Sequence, residues 1–342
     1  MANLSGRNLV IAIIVASLLL MVVGFQLRGP LPEIVVPAET LFHPLGFPLT
    51  NTVISAWVTI LVLLFLFRRA TGFSFEKMAL VPSRMQNLME TVVETMWNFV
   101  VSVAGERDGR RFFPLVMTIF LFVIANAWLS LLPGFGIIGL VEAKDHGHTF
   151  QETNLGSLRI AILPPGAQGG EGEDVHKETP EKETQGLKGT LIPIFRGANT
   201  DLNTTLGLAL TAMLFVEMWG IQANGFFGYT GRFINVGRLL RGQILPGLLD
   251  LFVGLLETVS EFARVISFTF RLFGNMFAGE VLLAVMVFLI PWVVVIPFYG
   301  LEIFVGFVQA LVFAALTLVF ISMAVAQHGD EHESAGGEHA GH

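Results

Sequence analysis

The sequence predicts an all-α polytopic membrane protein, and three observations carry that prediction. Hydrophobic residues make up 53% of the 342 and charged residues only 14%, with a mean hydropathy of +0.69, a balance foreign to water-soluble domains. The apolar residues gather into runs at 9–25, 53–67, 113–132, 206–219, 244–290 and 292–323, near or above the ~20 residues that carry a helix across a bilayer. Basic residues collect in alternate connections: Arg7, then Arg68, Arg69, Lys77 and Arg84, then Arg107, Arg110 and Arg111, then Arg232, Arg238 and Arg241. If every run crosses, all of these share one side, which is the cytoplasm, and the C-terminal tail returns to it. The expectation is about five to six membrane helices, two of them long, tilted and paired as a hairpin, plus a surface amphipathic helix.

Taken in order, residues 1–41 form an N-terminal hydrophobic helix and an extracytoplasmic linker. Arg7 ahead of a short apolar run also suits a secretory signal, but no small-residue cleavage pattern precedes Gly29 and Pro30, which favours a retained helix. Residues 42–141 hold the next two spans. Between them Met85, Leu88, Met89, Val92, Val93, Met96 and Val100 recur at helical spacing among Gln86, Asn87, Glu90 and Glu94. That pattern suits an amphipathic helix on the cytoplasmic surface and equally a helix packed on a neighbouring span.

Residues 142–200 are rich in Gly, Pro, Glu and Lys and read as a polar extracytoplasmic loop, largely disordered. Its acidity could gather protons, although a charge run is ordinarily just solvated. Residues 201–325 carry the remaining spans; the runs at 244–290 and 292–323 exceed one perpendicular crossing and must tilt, bend or lie partly along the membrane. The tail, 326–342, holds His328, His332, His339 and His342 among acids and reads as solvated, not metal-binding.

Several function classes fall away. A net charge of −7 without a basic stripe argues against nucleic acid as a partner. The absence of cysteine removes disulfides, thiolate metal sites and cysteine nucleophiles. Neither His-Glu-x-x-His nor Gly-x-Ser-x-Gly occurs, so a membrane hydrolase lacks its machinery. An ion-coupled secondary transporter is the alternative reading, but internal repeats and paired broken helices are not visible. No catalytic residue, cofactor or metal is expected.

The informative residues begin at Asp250. An ionisable group at a membrane helix centre costs about 2.5 to 3.5 kcal/mol on insertion scales, so each is a functional candidate. Asp250, Glu257, Glu261, Arg264, Arg271 and Asn275 recur at intervals of three, four or seven, along one slowly drifting stripe. For Asp250 and Glu261, near a helix end, a structural hydrogen bond is the simpler role. Glu280 lies nine residues past Arg271, which at roughly 100° per residue puts it about 180° away. In the last run Glu302 and Gln309 are seven apart, with Gly306 between them to admit a close helix. The Arg271 guanidinium cannot lose its proton, and its span offers no carboxylate one turn away.

The string Arg271-Leu272-Phe273-Gly274-Asn275-Met276-Phe277-Ala278-Gly279-Glu280 resembles the signature of the subunit a family of F-type ATP synthases, and the order fits from about Phe42 onward. Supporting matches are Leu256-Glu257, Asp201-Leu202-Asn203-Thr204, Asn126 with Leu131-Leu132-Pro133, and Gln309-Ala310. The resemblance implies that Arg271 is the family's essential arginine, that Glu280 and Glu302 occupy half-channel positions, and that Asn275 and Gln309 are its polar neighbours. Glu257 joins this proton-translocating set, with Asn126, Asn203 and Asp201 as candidate polar lining.

It further implies a stator with two aqueous half-channels, a rotating c-ring faced by the long helices, peripheral-stalk b subunits, protons as the transported ion and a bacterial plasma membrane. Arg264 and Val265 depart from the family, standing where relatives often have Lys-Pro; so does Ser130, where some have an acid. The first forty residues and the loop look like additions.

Overall fold

The computed structural model describes residues 34–42, 46, 48–71, 83–132, 135, 139–155, 158–162, 187–233, 243–289 and 295–326. The first apolar run, most of the acidic stretch of the loop and the histidine-rich tail lie outside the described residues. Five described helices are long and apolar enough to cross a membrane: α1 (Asn51–Thr71), α2 (Arg84–Ser130), α3 (Leu202–Asn224), α5 (Ile244–Leu289) and α6 (Val295–Ala326, apolar to Val325). A short α4 (Phe226–Phe233) follows α3. The chain divides into two compact units.

The first unit gathers Met1–Val58, Asn126–Asp201 and Asn275–Phe307. Strands β1 (Thr40–Phe42) and β2 (Leu49–Thr50) pair antiparallel and lead straight into α1. The first turns of α1 are polar and buried: Asn51 Nδ2 donates to Pro193 O (3.2 Å), Thr52 Oγ to Asp201 (3.1 Å), and Ser55 Oγ accepts from Arg196 N–H (3.1 Å). These three partners come from residues 193–201, while Asn51 also reaches Glu39 and Thr52 the Thr50 hydroxyl, so the polar start of α1 is paired on both sides.

A three-stranded antiparallel sheet occupies part of the region read from sequence as a largely disordered loop. Strand β3 (Gly139–Leu155) is central, flanked by β4 (Leu158–Ile162) and β5 (Leu187–Pro193). Gly139 pairs with Pro193 and Phe150 with Leu187, across an irregularity where Ala143 and His148 both oppose Gly189, and Leu155 pairs with Leu158 at the other edge. One of these strands has a signal in the sequence. Leu158-Arg159-Ile160-Ala161-Ile162 alternates with the period of a strand, a signal that counting Gly, Pro and charges over the whole loop averages away.

The second unit gathers Thr59–Ala125, Leu202–Gly274 and Val308–His342. Here α2 turns a corner at Gly105 (φ 75°, ψ 170°), a conformation open in practice to glycine alone. The two arms meet behind the corner, Trp97 edge-on to Phe113 at 5.4 Å and Val100 against Gly109. The end of the amphipathic stretch nearest the corner therefore packs on the helix that follows it. The charged residues Glu106 to Arg111 are helical, not a connecting loop, helped by an exposed Glu106–Arg110 pair one turn apart.

Helix α3 buries Ala209, Ala212, Met213, Val216 and Trp219 on one face, with Phe112 of α2 against Trp219. It ends at Asn224, whose Nδ2 donates to Gly220 O and to Ala324 O of α6. Helices α5 and α6 lock through Phe268, whose ring lies 4.8 Å from Phe313 and 5.6 Å from Phe320.

Candidate functional site

Within the second unit, Arg271 stands on α5 with a partly exposed side chain. Its Nη2 reaches Ser267 Oγ one turn back at 3.4 Å, and its guanidinium lies 5.8 Å from the centre of the Phe268 ring. Among the described residues it forms no ion pair. An α-helix dictates this: residues four and three back are its neighbours, and the sequence puts a hydroxyl and an aromatic there.

The other cation of the stripe behaves differently. Arg264 is neutralised by Glu261 at 2.6 Å and lies 4.9 Å over the Phe320 ring. Of the two arginines of α5 only Arg271 keeps a charge uncommitted to a carboxylate. Glu261 is thus paired with Arg264 on its own helix; Glu257 is partly exposed one turn earlier, and Asp250 is partly buried near the start of the helix. In the same unit Gln309 is buried beside Ala310, and Asn203 is exposed at the start of α3.

The first unit holds the other carboxylates. Glu302 of α6 is 8% exposed, and its carboxylate rests on Gly279 of α5, where even a Cβ would collide with Oε1, Cδ and Oε2. One turn on, Gly306 seats α6 against Ala127 of α2, leaving 3.0 Å between an added Cβ and the Ala127 Cβ, while Trp128 Nε1 donates to Ile303 O at 3.1 Å. Asn275 is exposed. The small residues at 279 and 306 thus let the helices approach closely enough for Glu302 to be enclosed.

Glu280, next to Gly279, meets a residue the sequence reading passed over. Arg196 Nε lies 3.3 Å from Glu280 Oε1 and 3.4 Å from Oε2, and the two side chains are 6% and 42% exposed. Arg196 sits among Ile192, Pro193, Ile194, Phe195 and Gly197. The rule that marks a charge within apolar sequence would have found it, had the rule been applied outside the helices.

Asn126 and Asp201 belong to the same surroundings. Asn126 Oδ1 accepts from Asn199 N–H at 3.2 Å, and Asp201 accepts from Thr52. The structure thus places Arg196, the Glu280 partner, and Asp201 on one short buried segment to which Asn126 of α2 is hydrogen-bonded through Asn199.

The model of the ATP synthase A chain family matches residues 53–322. Proteins named ATP synthase subunit a are similar along most of their length. The one from Gloeobacter violaceus is 29% identical over 82% of this chain and 86% of its own. Those from Helicobacter pylori and Helicobacter acinonychis are each 25% identical over 82% of this chain and 92% of their own. With five apolar helices of spanning length and a family match that runs from α1 to near the end of α6, this multi-pass membrane protein belongs to the ATP synthase A chain family.

Proposed function

We propose that this chain is the stationary, non-catalytic proton-conducting subunit of a rotary ATP synthase in a bacterial plasma membrane, facing a c-ring and held by peripheral-stalk b subunits. The observation that carries the reading is Arg271: a permanent cation in a membrane helix whose described contacts are a hydroxyl and an aromatic ring. Such a charge is costly unless an anion comes to it. The carboxylate of a passing rotor subunit is that anion in this reading.

The physics then requires a broken path. A proton falling through 100 mV releases about 2.3 kcal/mol, which is captured only if it cannot cross within one chain. Two half-channels opening to opposite sides make it ride the ring between them. Arg271 stands at the break, where it favours the ionised rotor carboxylate and repels protons that would leak through. Glu280 and Glu302 relay protons, with Asn275, Gln309 and Glu257 as polar company, and Asn126, Asp201 and Asn203 as lining. Residues 201–325 supply this core, and the 142–200 region lies outside the cytoplasm.

The test is Arg271→Ala in the complex reconstituted with its c-ring. ATP-driven proton pumping is expected to be lost while passive proton flux persists. Pumping at the wild-type level would overturn the reading.

A further inference from the structure

The arginine that meets Glu280 is held with unusual completeness. Its backbone N–H donates to Ser55 Oγ, its Nη1 to Pro37 O at 3.2 Å, and its Nε to the Glu280 carboxylate. The residues around it are fixed as firmly. Phe195 packs on Phe135 with ring centres 5.4 Å apart, Gly197 leaves only 3.1 Å between an added Cβ and the Ser130 Cβ, and Ala198–Thr200 form a buried 3-10 turn pinned by Asn126. A guanidinium so placed can neither deprotonate nor swing away. Glu280 is its opposite, two-fifths exposed and carrying a carboxyl group that can take up a proton.

We propose that Arg196 is a positioning residue for Glu280, the fixed countercharge against which that carboxylate exchanges its proton. This rests on the reading of Glu280 as a proton relay. A proton arriving on Glu280 makes the neutral acid and dissolves the charge-assisted pair. Its departure to the next acceptor, a water or the rotor carboxylate, restores the anion, and the pair re-forms in the same place because Pro37 O has kept the guanidinium there. Without Arg196 the carboxylate returns to no defined position. The relay step then slows, since misplacing a proton-transfer group by about an ångström costs up to roughly a hundredfold in rate.

The experiment measures passive proton flux and ATP-driven pumping in the reconstituted complex for Arg196→Gln, Arg196→Lys, Glu280→Gln and the double variant Arg196→Gln/Glu280→Gln, each normalised to the amount of chain assembled. Arg196→Gln is expected to slow flux about tenfold or more. Arg196→Lys, which keeps the charge, should recover most of it, and the double variant should be no slower than Glu280→Gln alone. If Lys rescues nothing, or if the two losses multiply in the double variant, Arg196 is a structural strut and the proposal is overturned. If Glu280→Gln alone leaves flux unchanged, the relay reading of Glu280 has failed and this proposal falls with it, an outcome distinct from the previous two.

Discussion

At the scale of single residues, the fold is particular about where it permits a charge and where it permits no side chain. Gly279 is the second kind: the Glu302 carboxylate lies over its Cα. Gly279→Ala forces the end of a flexible side chain to move and spares the backbone, so assembly should be near normal. Proton flux is expected to fall to about the level of Glu302→Gln, because the loss is one of position. Wild-type flux in assembled Gly279→Ala complexes would show that the seat of Glu302 is immaterial.

Arg271, Glu280 and Glu302 were legible in the sequence because each breaks an apolar helix, and helical spacing needs no coordinates. Arg196 was not legible in the same way. Its partner is 84 residues away, and it follows a loop whose composition disguised it. The role of Gly279 was hidden for a related reason: a glycine's meaning lies in what would strike its missing Cβ, and that atom belongs to another helix.

Among the elements, α2 shows how one backbone conformation redirects a helix. Sequence periodicity found both arms but left the first between membrane surface and protein contact, since an apolar stripe does not name its partner. The corner at Gly105 gives that arm's last turns a protein contact, folding Trp97 onto Phe113. An alanine there would meet no atom within 4 Å, so any cost must come from the backbone. Gly105→Ala is expected to destabilise by about 1–3 kcal/mol, read as a lowered thermal unfolding midpoint of the detergent-purified complex. An unchanged midpoint would mean that the corner relaxes freely. The sheet teaches the complementary lesson, since short alternating segments inside a polar loop are visible only when read five residues at a time.

For the whole molecule, the membrane topology expected from the placement of Lys and Arg is the property that an experiment can reach most simply. The chain has no cysteine, so a single one can be placed at will. Ser83 just precedes α2, and Thr153 lies on β3, which follows α2 in the chain. With one crossing between them, Ser83→Cys is expected to react with a membrane-impermeant maleimide only from the cytoplasmic side and Thr153→Cys only from the other. Reaction of both from the same side would cancel the crossing assigned to α2.

The pairing of Gly139 with Pro193 carries a further consequence. Facing residues in an antiparallel ladder are only about 5 Å apart, so the chain leaves the end of α2 and returns to the buried segment before α3 through what is nearly a single point. Whatever is strung between those two residues makes little demand on the helices. Nature has strung a sheet there; an engineer could graft an affinity handle or a fluorescent reporter onto the same stem, and the two points it joins would stay where they are.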